Sequence, residues 1–278
     1  MYDTASRSEA GTLQRANGEL HVSFRRRGDA TVLDDLRQVG CLKARFPCVE
    51  PTAWTTAVTL NTSGGVASGD RLCAAFEIAN GAQATIAAQA AERFYRALPG
   101  SEPADVRTRV IVENGAAAEW LPQETLLFDR CAVNRRLDVE LAADASFLGV
   151  EALVFGRAAM GERLEQARLR DLVRIRRCGR LVLRDTIRLD GAVDAILQRP
   201  AIANGAQAVA TVVHVAPDAE AHLDAVRAVL PREAGASAWN GLLLARILAP
   251  TGDALRRALI AVLGIIRGLR PLPRVWSC

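Results

Sequence analysis

The residues with the greatest potential for chemistry lie in a glycine-rich segment at positions 60–72. Gly64 and Gly69 have the spacing of a phosphate-binding loop, but Asp70 stands where such a loop carries its lysine, and its charge would repel phosphate groups. The alternative is a tight connection between two strands, in which the glycines supply positive φ or let the backbone approach a neighbour. The segment therefore favours a structural turn over a nucleotide site.

The side chains give little support to nucleophilic or metal-dependent catalysis. Neither Ser63 nor Ser68 has glycines two residues away on both sides, so the nucleophile elbow of a serine hydrolase is absent. The histidines are His21, His214 and His222, and none pairs with a neighbouring cysteine or carboxylate at a spacing typical of a zinc or nucleophile site. These patterns disfavour a conventional metalloenzyme.

Carboxylates leave one enzymatic alternative open. Residues 119–125 combine Trp120 with two carboxylates, and Pro122 predicts a sheet edge or a bend there. Two interpretations fit: Trp120 lies in the core beside solvated carboxylates, or Glu124 lies at an interface or on a metal path. A hydrolase would use Asp70 and Glu124 as an acid–base pair, which requires both in one cleft with pKa values pushed apart.

Arginines recur at near-alternate positions over residues 168–188, among leucine, valine and isoleucine. A hairpin with this pattern has one apolar and one cationic face. Asp171, Asp185 and Asp190 interrupt the positive charge, and no aromatic residues are interleaved to stack on bases. The pattern therefore favours a solvated outer face, or a surface for an acidic protein, over a nucleic-acid site.

Composition indicates a folded protein outside the membrane. The 278 residues are 50% hydrophobic, with 35 basic and 31 acidic residues that are interleaved. Lys43 is the only lysine, which nearly excludes lysine-dependent chemistry. The longest apolar run, residues 258–266, is shorter than the roughly 20 residues that span a bilayer. The six cysteines form no C-x-x-C pair, so we predict free thiols in a reducing cytoplasm.

The elements that must position these residues are mostly strands. From about residue 19 to residue 215, short apolar runs alternate with turn signals, as in all-β folds. Asn80 with Gly81, and Asn114 with Gly115, predict type I′ hairpins between neighbouring strands. A weaker hairpin signal lies at Cys178.

The pattern changes near residue 216, where helical spacing begins. We predict helices over residues 218–230, 239–248 and 251–266, each ended by proline or glycine. The predicted fold class is mainly β: an elongated body of many short strands in layered or helical-type sheets with a small helical C-terminal region. Residues 1–18 would be flexible and residues 19–278 a single domain, with the β body at 19–215 and a helical cap at 216–270.

The glycine-rich segment resembles the signature of the UreD family of urease accessory proteins, called UreH in some bacteria. Further similar blocks follow in the family's order at residues 89–96, 119–130 and 155–162, and the chain ends in a similar way at 273–276. Ser68 departs from the glycine that is frequent there. The matching motif residues are Asn61, Ser63, Gly64, Gly65, Gly69, Asp70, Trp120, Pro122, Gln123, Glu124, Gly156 and Arg157.

The resemblance implies a non-enzymatic, cytoplasmic scaffold or chaperone that binds apo-urease and the accessory proteins UreF and UreG and assists nickel insertion. It implies no tightly bound cofactor and no stable metal site, only nickel in transit, with GTP hydrolysis belonging to UreG. A transit path should bind nickel weakly, through scattered carboxylates, waters and carbonyls, because a closed site of histidine and cysteine would not release it. The candidates in or near the similar blocks are Asp70, Glu92, Glu124, Asp129, Glu151 and Glu162.

Overall fold

The structure is a computed structural model and describes residues 14–47, 54–157, 160–268 and 270–277. It is 55% strand and 14% helical, which confirms the mainly β prediction. Two mixed sheets pack against each other, and a short helical layer covers the outer face of the larger sheet.

The smaller sheet has seven strands, whose spatial order is β14-β13-β11-β8-β5-β1-β2. From β1 to β13 the neighbours in this order are parallel, and antiparallel strands lie at both ends. Its strands are β1 (Asn17–Arg27), β2 (Ala30–Gly40), β5 (Arg71–Ile78), β8 (Ala104–Val112), β11 (Ala132–Leu141), β13 (Gln166–Arg177) and β14 (Arg180–Ala192).

The larger sheet has ten strands, eight of them in the order β16-β17-β15-β12-β9-β6-β4-β3, and two short strands beside β12. Those two are β7 (Glu92–Phe94) and β10 (Thr125–Leu127). The others are β3 (Leu42–Arg45), β4 (Trp54–Asn61), β6 (Gln83–Ala88), β9 (Ala117–Leu121), β12 (Ser146–Phe155), β15 (Ala208–Val215), β16 (Ala234–Trp239) and β17 (Leu242–Ala249). The chain crosses repeatedly between the sheets, from β5 to β6, β8 to β9 and β11 to β12.

The two predicted asparagine–glycine hairpins are wrong, because each turn joins strands of different sheets. Gly81 and Gly115 have positive φ, but neither preceding asparagine does, and a type I′ turn needs both. The turns instead stack on one another. The side-chain oxygen of Asn80 accepts the amide of Asn114 at 3.1 Å, and the amide of Gly81 donates to the carbonyl of Asn114 at 2.9 Å.

In two other hairpins both turn residues have positive φ. Cys178 (49°) and Gly179 connect β13 to β14, which confirms the weaker signal. Asn240 (52°) and Gly241 connect β16 to β17, inside the predicted helix 239–248. That helix prediction is wrong: the leucine-rich run pairs with β15 as strand β17, and Asn240 with Gly241 forms the hairpin turn before it.

The other two predicted helices are confirmed. A 3₁₀ turn (Ala219–His222) leads into α2 (Leu223–Val229), and α3 (Gly252–Arg267) begins where the hydroxyl of Thr251 accepts the amide of Ala254. A short α1 (Val193–Leu197) and a second 3₁₀ turn (Arg274–Trp276) complete the helical elements of the described residues. The predicted helical cap 216–270 thus also contains β16 and β17.

The predicted flexible N-terminal segment lies largely outside the described residues. Its described end is held in place, since β1 begins at Asn17 and the amide of Ala16 donates to Asp70. The division into one domain with these boundaries stays a prediction.

The hydrophobic core fills both interlayer spaces. Between the sheets, one cluster surrounds Phe24, Phe76 and Phe147, and a second surrounds Phe94 and Phe155. The third cluster packs the outer face of the larger sheet against α2 and α3. Each fully buried large side chain stabilises the fold by roughly 1.5–3 kcal/mol, so these layers hold the strands in register.

Candidate functional site: a cavity between the sheets

A cavity of about 120 Å³, which we call the inter-sheet cavity, lies where the two inter-sheet core clusters meet. Its apolar wall includes Leu20, Phe76 and Phe94, and its polar wall includes Glu92 and Arg135. One water needs roughly 10–15 Å³ of such volume, so the cavity has room for several waters.

Arg135 of β11 is the centre of the polar wall. Its guanidinium holds Asp171 of the neighbouring β13 with two hydrogen bonds, of 3.0 and 2.6 Å, and donates to the hydroxyl of Thr125 at 2.7 Å. Nη2 also lies 2.8 Å from a carboxylate oxygen of Glu151, which belongs to β12 of the other sheet. The side chains of Arg135 and Glu151 are only 14% and 11% exposed. One cation therefore bridges two carboxylates and both sheets.

Glu151 is the carboxylate whose charge is least stabilised in this cluster. Burial raises its pKa, Arg135 lowers it, and the negative charge of Asp171 raises it again, with the result near 7. The indole Nε1 of Trp120 donates to its other oxygen at 2.8 Å. The sequence predicted Glu151 only from its place near a family-like block. It did not predict Arg135 or Asp171, because nothing in the local pattern says that these two lie side by side.

Glu92 lies where the inter-sheet cavity meets a second pocket, of about 170 Å³, beside the glycine-rich segment. The two spaces share Leu42, Thr59, Ala88, Ala90 and Glu92. Burial raises the pKa of Glu92 against the hydrogen bond from Asn61, whose amide nitrogen lies 3.3 and 3.4 Å from the carboxylate oxygens. The partly buried carboxylate of Glu92 thus lies between the pocket beside the glycine-rich segment and the inter-sheet cavity.

The glycine-rich segment itself is a structural turn, and Asp70 stabilises it. The two carboxylate oxygens of Asp70 accept the amides of Ala16 and Ala67, both at 2.8 Å, and the side chain is buried. Gly65 has φ of +142°, and a Cβ there would lie 2.5 Å from the ring of Tyr95. The tyrosine hydroxyl donates to the carbonyl of Gly64 at 2.7 Å. The predicted structural interpretation of this loop agrees with these contacts.

The remaining transit candidates lie apart from the cavity wall. Asp129 accepts the amides of Glu165 and Gln166, at 3.0 and 2.9 Å, which is the role of a turn cap. Glu162 pairs with Arg157 at 2.6 Å beside the fourth family-like block.

Glu124 forms a looser ion pair with Arg256 of α3, at 3.5 Å. Its backbone carbonyl accepts the amide of Glu92 at 3.1 Å. The hydrolase alternative paired Glu124 with Asp70, but these two carboxylates have separate partners, and neither lines the inter-sheet cavity. The structure gives that acid–base pair no common cleft there.

A second buried ionic cluster lies on the opposite face of the larger sheet. Glu119 of β9 is 1% exposed and accepts from Arg267 at 2.9 Å, Arg270 at 2.5 Å and Thr85 at 2.6 Å. Burial raises the pKa of Glu119, but the hydrogen bond and charge of Arg267, with Arg270 and Thr85, outweigh it, so the pKa is lowered. This cluster fastens the end of α3 to the sheet.

The C-terminal block contacts the third family-like block directly. The indole of Trp276 is buried and donates to the carbonyl of Leu121 at 3.1 Å. The amide of Gln123 donates to the carbonyl of Val275 at 2.7 Å, and Arg256 donates to the oxygen of Gln123 at 2.6 Å. Two motifs that are far apart in sequence thus form one packed unit beside the cavity residue Pro122.

The predicted two-faced hairpin is confirmed in β13, where Leu169, Val173 and Ile175 are buried on one face. Arg174 and Arg176 on the other face pair with Asp138 and Glu140, at 2.6 and 3.3 Å. Carboxylates of the adjacent strand thus neutralise much of the cationic face.

The four cysteines within the described residues are free thiols: Cys41, Cys73, Cys131 and Cys178. Cys48 and Cys278 fall outside those residues. None of the described helices combines the length and the apolar character that crossing a membrane requires.

The comparison with known proteins agrees with the motifs. The family described as UreD urease accessory protein matches residues 16–277. The chain is 45% identical to the urease accessory protein UreD of Xanthobacter autotrophicus over 276 residues, which cover 98% of this chain and 94% of the relative. It is 49% identical to UreD of a Methylobacterium species over 258 residues, or 90% of each chain. The buried carboxylate clusters, the glycine turn and the docked C-terminal tryptophan are therefore features of a chain that belongs to the UreD family of urease accessory proteins.

Proposed function

We propose that this chain is a non-catalytic scaffold of urease maturation that binds apo-urease together with UreF and UreG, and that nickel passes through its inter-sheet cavity. Membership of the urease accessory family supports the maturation role. The binding of these partners and the passage of nickel are what we propose beyond that role.

The observation that carries the proposal is the excess of carboxylates around Arg135. Glu92 and Arg135 line the inter-sheet cavity, and Glu151 and Asp171 pair with Arg135 outside that lining. Burial lowers the pKa of Arg135, but the negative charges of Asp171, Glu151 and Glu92 outweigh burial and raise the pKa. Carboxylates that outnumber their cation attract a divalent ion. Because they are already engaged by Arg135, Trp120 and Asn61, they would bind it weakly and release it.

The geometry also supports a direction of entry. The outer pocket lies beside Asn61 and Gly65, and Glu92 stands between this pocket and the inter-sheet cavity. An ion that enters there meets Glu92 first and then the Arg135 cluster. This passage needs no histidine or cysteine ligand, which agrees with an ion that must be released again.

The test is urease activation in cells that co-express urease, UreF, UreG and this chain, or variants of it, in medium with nickel. Omission of the chain should abolish most of the activation. Glu92→Gln and Glu151→Gln should lower activation at limiting nickel by about tenfold, if each contributes about 1.4 kcal/mol to the transit barrier. Excess nickel should restore part of it.

Glu102→Gln is the matched control, since Glu102 is an exposed carboxylate outside the cavity wall. Co-purification with UreF and apo-urease should be unchanged in all three variants. If the complexes form normally and both cavity variants activate urease as well as the control does, nickel does not use this cavity. If no complex forms with the unaltered chain, the scaffold role is wrong.

A further inference from the structure

Two histidines and one aspartate meet at the end of β15, away from the inter-sheet cavity. The ligand atoms of His214, Asp218 and His222 all lie within 4.8 Å of one another. The spacing of the histidines predicted no zinc-type site, yet the fold brings these three side chains together. The chain leaves strand β15, turns at Pro217 and enters a 3₁₀ helix, so residues four apart on either side of Asp218 come together.

Each imidazole is oriented by its surroundings. His214 is 9% exposed, and its Nε2 lies 3.8 Å from a carboxylate oxygen of Asp218. Nδ1 of His222 lies 3.1 Å from the backbone carbonyl of Asp218. In the tautomer in which this Nδ1 donates to the carbonyl, Nε2 keeps its lone pair, which is the usual arrangement of a metal-binding histidine.

The ring of His214 is buried beside the backbone of Phe147, and Nε2 is the ring nitrogen that lies near Asp218. Nε2 is therefore the nitrogen that this ring offers to a ligand of the cluster.

We infer that His214, Asp218 and His222 form a binding site for one divalent cation of the zinc and nickel class. Imidazole nitrogen suits these ions, and one carboxylate oxygen completes a set of three ligands with further positions for water. Two ligands about 2.1 Å from one ion lie roughly 3–3.5 Å apart. The ligand atoms, which lie within 4.8 Å of one another, have to move closer together when an ion binds, and the exposed Asp218 side chain can rotate to do so.

The site is independent of the proposed passage. Side chains alternate along β15, so His214 faces the helical layer while Val213 and Val215 face the other sheet. The strand register places Leu148 between His214 and Glu119 on that face. Failure of the cavity as a nickel path would leave this site untouched, and the reverse also holds.

The chain has only three histidines, which makes the test direct. The ring C–H signals in an NMR spectrum of the full purified chain can be assigned from single variants. On addition of Zn²⁺ alone, the signals of His214 and His222 should shift together, with one equivalent bound, and the signal of His21 should stay. Ni²⁺ alone should broaden the same two signals.

Calorimetry with Zn²⁺ and Ni²⁺ gives the affinities. His222→Ala and Asp218→Asn change residues that are not fully buried, so the fold should survive, and each should weaken binding at least tenfold, since even groups that only orient a metal ligand contribute about 10–100-fold. His21→Ala removes the histidine beside Asp35 and Glu77 and should change nothing. Equal affinities in all three variants, or a shift of the His21 signal alone, would overturn the site.

Discussion

The two buried ionic clusters lie on opposite faces of the ten-stranded sheet and use the same residue types. On the helix-facing side, Glu119 receives Arg267 and Arg270 in a closed setting, with Glu119 only 1% exposed. On the inter-sheet side, a single Arg135 serves Asp171 and Glu151 beside a cavity. The pKa of Glu119 is lowered, whereas that of Glu151 is raised to about 7.

The opposite pKa shifts of Glu119 and Glu151 show that burial alone does not decide the charge of a carboxylate. Burial raises the pKa of both, but Glu119 has two cations for one anion, and Glu151 shares one cation with Asp171. The first arrangement satisfies its charges and fixes α3. The second leaves a carboxylate that can change its protonation state near neutral pH. The cluster that fixes α3 and the cluster that can titrate near neutral pH thus differ in their ratio of cations to carboxylates.

The largest expected effect is from Glu119→Ala. Removal of the carboxylate leaves Arg267 buried without its partner, and the loss of one member of a buried pair costs about 3–5 kcal/mol. Urea unfolding should show a loss of this size in the free energy of unfolding. Glu102→Ala, at an exposed position, should change stability by less than about 0.5 kcal/mol. A loss below 1 kcal/mol for Glu119→Ala would mean that the cluster does not fasten α3.

The second prediction concerns pH. The pKa of Glu151 in the fold is about 7, above its ordinary value of 4.5, so the folded state binds the extra proton and stability is lost as pH rises through 7. Between pH 5 and pH 8 this amounts to roughly 2–3 kcal/mol. Unfolding midpoints at several pH values should fall over this range in the unaltered chain.

Glu151→Gln should flatten that part of the profile, because the group that titrates is gone. Glu119→Gln should not flatten it, since the pKa of Glu119 is lowered and its transition lies at acid pH. The groups that face Glu151 are Arg135, Asp171 and the indole of Trp120. If the stability of Glu151→Gln falls with pH as steeply as that of the unaltered chain, Glu151 is not the titrating group and the two clusters do not differ in this respect.

Asp171→Asn should weaken the same contrast, with a smaller change in stability. The variant loses charge-assisted hydrogen bonds to Arg135, at a cost of about 1.5–3 kcal/mol at neutral pH. It also removes the negative charge that raises the pKa of Glu151, so that pKa should fall. The pH-dependent loss of stability should then end at a lower pH and be smaller than in the unaltered chain, because it extends only from the unfolded to the folded pKa. Asp138→Asn, on the outer face beside Arg174, is the control and should leave that end point unchanged.

The smallest effect is expected at the other end of α3. Thr251→Ala removes the cap on the amide of Ala254 and should cost about 1 kcal/mol, whereas Thr251→Ser should keep most of the stability. Urea unfolding measures both. A cost as large as that of Glu119→Ala would indicate that the cap, and not the buried cluster, holds the helix in place.

Local chemistry predicted much of the fold. The alternation in β13, the threonine cap of α3 and the double positive φ at Cys178 and Gly179 are all consequences of a few neighbouring residues. The errors came from the same local patterns. Asn80 with Gly81 predicts a hairpin only if the next strand joins the same sheet, and the run after Asn240 carries apolar residues that suit a helix or a strand equally.

The candidate site was predictable only in part. Glu92 and Glu151 were singled out by their position in or near family-like blocks. Glu92 lines the cavity and Glu151 pairs with the lining residue Arg135, whereas Asp70 and Asp129 accept hydrogen bonds from backbone amides. The residues that contact these side chains and set their pKa values could not be recognised from the sequence. Arg135 and Asp171 lie 36 residues apart, and the pairing of His214 with His222 depends on how the chain turns after β15.

The sequence by itself determined that the chain is rich in strands, which loop needs glycines, and to which family its motifs are similar. Those properties depend on backbone freedom, hydrophobic periodicity and residue type, all of which act over a few residues. Only the tertiary structure decided which carboxylates are satisfied and which are not. Glu119 and Arg267 are 148 residues apart, and a charge in an apolar interior takes its protonation state from whatever the fold brings within a few ångströms.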